Sequence, residues 1–333
     1  MKKGRTQGRM FLHATINFFG QIVSRRSVAF AVFMQFPALL SSCVAVDPES
    51  AGREVIVMTK ASAGGLLDLF FFDASQPFLL DSYQRITPEI SPVYGLSGAG
   101  KKLAVAISAR GGDIYDRSYV RALGDLSSDI FSLASERPVN PLLFGSAYLE
   151  EGRARTVTLQ LKPALCCIRV KSLCCNFRER PYYGKSIENV KLWLVNAVSE
   201  YAPADGAEGR PVSWENYGCL GSDNPLLCQD GIGTVGQERI YPEVSLYCYP
   251  NPVDDETPGS PFTRLVVEGD IGAVHCYYPI NLIRMTPGMA YDMDITLLRI
   301  GTSDPDLPAE TGQIITEYST VPWNEKEPHT EVF

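Results

Sequence analysis

The sequence predicts an all-β chain: two consecutive antiparallel β-sandwich domains behind an N-terminal export signal. Three observations carry this. Apolar residues come in short runs with period-2 alternation, Gly, Pro and Asn punctuate those runs, and the alternating long helical patterns of a doubly wound sheet are missing.

The body opens with 54–59 (EVIVMT), and after Gly64 and Gly65 comes 66–73 (LLDLFFFD). Leu67, Leu69 and Phe71 fall on one face of that run and Leu66, Phe70 and Phe72 on the other, the pattern of a strand buried on both sides. Residues 81–86 continue it as a hairpin, and 102–109 (KLAVAISA) reads as a strand closed by Gly111 and Gly112. A helix is expected over 118–133, where Val120, Leu123, Leu126, Ile130 and Leu133 recur at helical spacing. Residues 142–148 and 155–161 return to strand character.

Pro163 marks the seam between the domains, 54–162 and 163–333, because it stops one strand just before the run 165–173. Beyond it lie a strand run at 187–198, a loop region at 203–237, and strands at 244–249, 263–268, 274–282 and 291–299. In the last, Tyr291, Met293, Ile295 and Leu297 oppose Asp292, Asp294 and Thr296, as in a half-solvated strand. Leu67, Leu69, Phe71, Val105 and Ile107 are candidates for the first core. Trp193, Leu194, Val266, Tyr277, Ile295 and Leu297 are candidates for the second.

Residues 1–42 hold six basic residues and no acidic one, and Arg25 and Arg26 precede the apolar run 28–40 (VAFAVFMQFPALL). That run has signal-peptide length and falls short of the roughly 20 residues that cross a bilayer. Leu40, Ser41, Ser42 and Cys43 resemble a bacterial lipobox, which implies a diacylated Cys43 as the mature N-terminus and 43–53 as a lipidated linker. Two acyl chains suffice for stable anchoring, since each buried methylene contributes about 0.8 kcal/mol. An ordinary cleaved signal with an incidental cysteine is the alternative.

Without residues 1–42 the chain keeps 24 basic against 38 acidic residues, a net charge of −14. Such a surface repels phosphate backbones, and no Lys/Arg cluster with interleaved aromatics offsets it, so nucleic acid is not expected as a partner.

Nine cysteines would permit disulfides in an oxidising compartment. Cys166, Cys167, Cys174 and Cys175 lie in a strand-like run whose neighbours point to opposite faces, which suits small buried hydrophobes rather than a metal site. Cys219 and Cys228 share a loop-like stretch and are a candidate local disulfide. Cys248 and Cys276 either pair across a sheet or are simply buried.

Enzymatic signatures are missing, and no cofactor is implied. The histidines are His13, His275 and His329, with no HxxxH spacing, no GxSxG elbow and no GxGxxG after a strand. The segment 231–236 (GIGTVG) reads as a flexible loop. Asp292 and Asp294 read as solubilising carboxylates, and Asp304 with Asp306 as a turn.

The lipobox, LLDLFFFD followed by LDSYQRI at 80–86, SLYCYPNP at 245–252, PFTRLVVEGDIG at 261–272, CYYPINL at 276–282, DMDITLLRIGTSDPDLP and Val321, Pro322 and Trp323 together resemble the FimB-type fimbrial subunits of Bacteroidetes. These are relatives of the fimbrillins that include minor-fimbrium anchor proteins. The resemblance implies two transthyretin-like sandwiches, a surface-exposed outer-membrane lipoprotein, other fimbrial subunits as partners and no catalytic site. It also implies assembly by strand complementation, in which main-chain bonds supply affinity and alternate side chains specificity.

Only VAVDPESAGR separates Cys43 from the first strand, so an arginine-specific cut at Arg53 would release the lipid and remove almost no strand-forming sequence. That favours a subunit that keeps its lipid, with Arg53 a solvated residue before the strand. The terminal segments 311–318 and 319–333 read either as an integral edge or as a segment donated to a neighbour, with Trp323 and Phe333 as candidate partner contacts. An anchor or accessory subunit is the leading reading. A tip adhesin or glycan-binding lipoprotein, with 214–237 as its display loop and an unknown host or bacterial ligand, is the alternative.

Overall fold

The computed structural model describes residues 53–60, 65–87, 90–97, 100–109, 117, 119–150, 156–203, 209–216 and 224–323. It is 57% strand and 3% helix, so the sheets have no helical layer to pack on and bury their faces against one another.

The first part contains β1 (Arg53–Lys60), β2 (Leu66–Asp73), β3 (Leu80–Ile86), β4 (Ile90–Leu96), β5 (Lys102–Ala109), β6 (Phe131–Ser132), β7 (Leu143–Leu149), β8 (Thr156–Gln160) and β9 (Lys162–Pro163). One antiparallel sheet runs β3-β2-β5-β7-β9. A second runs β4-β1-β8, with β1 antiparallel to β4 and parallel to β8. The two-sided burial expected of β2 is observed. Leu67, Leu69 and Phe71 pack with Ile86, Val93 and Leu159 of the facing elements, while Phe70 and Phe72 on the opposite face join Val105 and Ile107 in a larger cluster. Burying each such phenylalanine contributes about 1.5–3 kcal/mol.

The second part contains β10 (Cys166–Cys175), β11 (Ile187–Val195), β12 (Ala197–Ala202), β13 (Arg210–Glu215), β14 (Cys228–Val235), β15 (Val244–Cys248), β16 (Thr263–Ile271), β17 (Val274–Leu282), β18 (Met289–Leu297) and β19 (Ile314–Pro322). Sheets β15-β10-β18-β19 and β14-β11-β16-β17 contribute Leu173, Leu192, Leu194, Leu265, Tyr278 and Ile295 to one core. Trp193, Val266 and Tyr277 form a separate small cluster with Val195 and Cys228. Neighbouring strands are antiparallel except β1 with β8 and β10 with β18.

The two parts share structure across residue 163. The sheet β13-β12-β6 joins Phe131 and Ser132 to Tyr201 and Glu200, and the large cluster runs without a break from Phe70 to Leu297. Pro163 does not simply end a strand: it pairs with Leu143 at the edge of the first sheet, where a missing N–H costs no ladder bond.

Three expectations are corrected. The helix over 118–133 shrinks to one turn, α1 (Leu123–Leu126). Gly124 lies within it, Ile130 is 49% exposed, and the Asp125 carboxylate turns back to accept from the Arg121 and Ala122 N–H groups, so the apolar residues never form a continuous stripe. The loop expected over 203–237 contains β13 and β14. GIGTVG therefore overlaps a strand rather than a free loop, with Gly231 and Gly233 at φ of 75° and 87° and a broken register against β11. The single run 187–198 is two strands, divided at Asn196 with φ of 51°.

Candidate assembly surface

Among the described residues the strand β19 lies at a sheet edge, with β18 as its one neighbour in that sheet. Its register is unbroken from Met289↔Pro322 to Leu297↔Ile314, so its backbone is integrated into its own sheet along its whole length. Among the described residues no strand lies on the other side of its backbone, and Ile315 and Tyr318 are exposed at 49% and 69%. An edge with this much exposed apolar surface is suited to accepting or forming contacts with another chain.

Trp323 caps this edge. Its backbone N–H donates to Gly288 O at 2.9 Å, and its ring centroid lies 5.4 Å from that of Tyr247 on β15 at a 39° tilt. The half-buried indole thus packs across the sheet end against its own chain. Burial first, then the neighbouring Cys167, pushes the Tyr247 phenol up to about 12.

The outward face of the same sheet is polar and internally satisfied. Arg169 on β10 forms a fork with Asp292 on β18, Nε to Oδ1 at 2.5 Å and Nη2 to Oδ2 at 3.1 Å. Arg239 donates to Ser172 Oγ at 2.6 Å and Thr296 Oγ1 at 3.0 Å, and Ser172 bonds Asp294. Asp292 and Asp294 are therefore ladder residues held by cross-strand partners rather than a carboxylate pair over a cleft.

A second charged group sits in the first part. Asp68, fully buried on β2, accepts from Arg85 Nε at 2.8 Å and Tyr83 OH at 2.9 Å, and also from Arg117. Arg117 Nε reaches on to Asp129 at 2.7 Å. Burial alone would raise the Asp68 carboxyl, but the bonds from Arg85 and Tyr83 and the Arg117 charge hold it below the usual range. His275 contacts Asp270 at 2.7 Å and Glu268 at 3.4 Å. Asp304 accepts from the Asp306 N–H at 2.9 Å in a local turn. Among the described residues no group of three or more His, Cys, Asp or Glu could hold a metal ion, and no helix is long and apolar enough to cross a membrane.

Of the residues singled out in the sequence, Trp323 has a defined setting and Arg53 opens β1 opposite Leu96. Cys228 is buried on β14 with its Sγ 3.7 Å from Asp230 Oδ1. Cys43, Cys219 and Phe333 lie outside the described residues. Cys248 and Cys276 are buried thiols in different sheets. Tyr247, the partner of Trp323, carries no signal of its own in the sequence. The contact depends on the sheet order that brings β15 within reach of the end of β19, which the pattern of one strand does not encode.

No family model matches this sequence, and no curated protein matches it. Solved structures do match in fold. A protein assigned to cell adhesion from Bacteroides eggerthii aligns over 82% of this chain and 97% of its own, with 16% identity and a TM-score of 0.57. Another assigned to cell adhesion, from Parabacteroides distasonis, aligns over 83% and 98% with 12% identity and a TM-score of 0.56. A fimbrilin from Porphyromonas gingivalis aligns over 83% and 98% with 10% identity and a TM-score of 0.53. The chain shares the all-β fold of these proteins.

Proposed function

We propose that this chain is a non-enzymatic fimbrial subunit of the cell surface, of FimB type: an anchor or accessory lipoprotein held in the outer membrane by acyl chains on Cys43. The observation that carries the reading is the similarity of fold, over more than four fifths of the chain, to a fimbrilin and to proteins assigned to cell adhesion. The lipobox LSSC supplies the anchor. In this reading the sandwiches 54–162 and 163–333 are transthyretin-like domains that share a core, and other fimbrial subunits are the partners. β1 starts at Arg53, so cleavage there leaves the strand in place and removes only the tether. The exposed edge of β19 with Trp323 is the assembly contact.

The test is mass spectrometry of the mature N-terminus from outer membranes, together with mild crosslinking and recovery of fimbriae. A diacylated Cys43 and co-recovery with fimbrial subunits are expected, and Cys43→Ala should release the chain from the membrane fraction. An unmodified N-terminus beyond residue 43 in membrane-bound material, with no fimbrial partner, overturns the reading. The alternative, a tip adhesin or glycan-binding lipoprotein, is favoured by one feature. A groove of about 680 Å³ between β14 and the 240–245 segment carries Asp230, Gln229 and Glu243 beside the 71% exposed Tyr241 ring.

A further inference from the structure

We propose that the free edge of β19 pairs with β19 of a second copy of this chain, antiparallel about a two-fold axis at Tyr318. The inference rests on the reading of this edge as the assembly contact. The strand is symmetric in its chemistry about Tyr318. Ile314–Pro322 reads IITEYSTVP: two apolar residues at each end, then Thr316 and Thr320, then Glu317 and Ser319, with Tyr318 at the centre. Laid against a reversed copy of itself, the strand sets apolar residues opposite apolar ones, Thr opposite Thr and Tyr opposite Tyr, while Glu317 faces Ser319 rather than another carboxylate. Thr–Thr and aromatic cross-strand pairs stabilise a sheet, and like charges directly opposed destabilise it.

The backbone has the matching phase. At the two ends of the β18 ladder, Gln313 O accepts from the Leu298 N–H at 2.7 Å and the Trp323 backbone N–H donates to Gly288 O. Backbone groups alternate along a strand, and the register between these points is unbroken. The odd-numbered residues therefore bond β18, and Ile314, Thr316, Tyr318 and Thr320 turn their N–H and C=O groups outward. With the axis at Tyr318, outward residues meet outward residues: Tyr318 with its copy, Thr316 with Thr320, and Ile314 with Pro322. Proline has no N–H, and Pro322 falls at the end of the ladder, where it accepts only. An axis at Glu317 keeps the phase but opposes two carboxylates. An axis at Ser319 sets Glu317 against Val321 and leaves Ile314 without a partner.

Exposure along β19 points to the same axis. Ile314 packs against the main core, so the even-numbered side chains lie on the core side of the sheet. Tyr318 and Thr320 are nonetheless exposed on that side, as Glu317 and Ser319 are on the other. A strand with one covered face would alternate between buried and exposed. Here both faces are bare around Tyr318, where the second copy would lie. Two-fold pairing is the commonest form of self-association, and this one covers the β19 edge of both copies at once by joining two four-stranded sheets.

Sedimentation velocity of the full chain over a concentration series reads the pairing, with Cys43→Ala included so that no acyl chain drives association. A reversible monomer–dimer equilibrium is expected. Thr316→Pro removes one outward N–H and no bond to β18, a change that an edge strand tolerates, and should abolish the dimer. Ser319→Lys sets a lysine opposite Glu317 and should tighten the dimer severalfold, whereas Ser319→Glu opposes two carboxylates and should weaken it severalfold. The two charge variants test the register even if the proline disturbs the fold. A chain that stays monomeric at every concentration, a dimer that persists in folded Thr316→Pro, or charge variants that shift the equilibrium in the same direction overturn the proposal. A monomeric chain that crosslinks through β19 to a different fimbrial subunit overturns it too, and leaves the assembly reading standing. A dimer with the expected charge dependence but no fimbrial partner supports the pairing and counts against that reading instead.

Discussion

The hydroxyl of Tyr249 donates to Glu136 Oε1 at 2.6 Å, across 113 residues of sequence. Glu136 Oε2 in turn accepts the Leu142 N–H, and the Tyr249 ring stacks on Tyr201 with centroids 5.3 Å apart. Tyr201 is paired with Phe131 of β6, so a buried carboxylate, two aromatic rings and a short sheet converge where the two parts of the chain meet.

Tyr249→Phe should remove the clasp while keeping the ring. A hydrogen bond to a charged group contributes about 1.5–3 kcal/mol. Urea unfolding of the full chain should shift to lower midpoint yet remain one transition. Two separated transitions in the wild-type chain would show that the clasp does not couple the parts.

Asp68 gives the fold an acid limit. Its folded carboxyl is depressed below the unfolded value, so its contribution is fully present above the ordinary carboxylate range and is lost as pH falls through the folded value. Asp68→Asn takes the anion from between two guanidiniums, and breaking a buried pair costs about 3–5 kcal/mol. Urea midpoints measured between neutral and strongly acidic pH should fall for wild type and vary much less for the variant. Parallel curves would remove Asp68 from the account.

Trp323 and Tyr247 form a pair that can be measured as a cycle. Aromatic pairs contribute about 0.5–1.5 kcal/mol beyond area burial, so Trp323→Ala, Tyr247→Ala and the double variant should be non-additive by that amount. Removing residues 322–333 should weaken association with fimbriae. A truncated chain that joins fimbriae normally rules out the terminal segment as the contact.

Gly269 marks a close crossing of β16 and β11. A Cβ there would lie 2.6 Å from Ile187 Cγ1 and 2.8 Å from Glu188 O, and the carbonyl cannot move without breaking the ladder. Gly269→Ala should destabilise by about 1–3 kcal/mol, the usual cost of overpacking, read as a lowered Tm. An unchanged Tm would mean that the two strands separate freely at this point.

Strands that alternate cleanly were legible. Tyr291, Met293, Ile295 and Leu297 are buried as the pattern required, and the run Leu66–Asp73 is a strand with both faces covered. Two edge strands were not. β4 contains Pro92 and Gly95, and β14 is polar with two glycines at positive φ, so neither presents a periodic signal, and pairing with a neighbour rather than local preference makes them strands. The 118–133 segment failed for the opposite reason. Its helical spacing was real, but Arg117 is drawn to Asp68 and Phe131 to Tyr201, and those tertiary bonds pull the two ends apart. For the candidate site, Trp323 stood out as a lone large ring, whereas its setting depends on a register that no single strand encodes.

β1 is the middle strand of its sheet, paired with β4 over Arg53–Met58 on one side and with β8 over Ile56–Lys60 on the other. Tension drawn along the strand from its Arg53 end loads bonds that lie across the direction of pull, first in the β4 ladder and from Ile56 onward in both. Such a strand yields by shear, with many bonds failing together, whereas one at an edge would unzip a bond at a time. If the chain is tethered in front of Arg53, as proposed, the load would reach β1 already locked between two other strands.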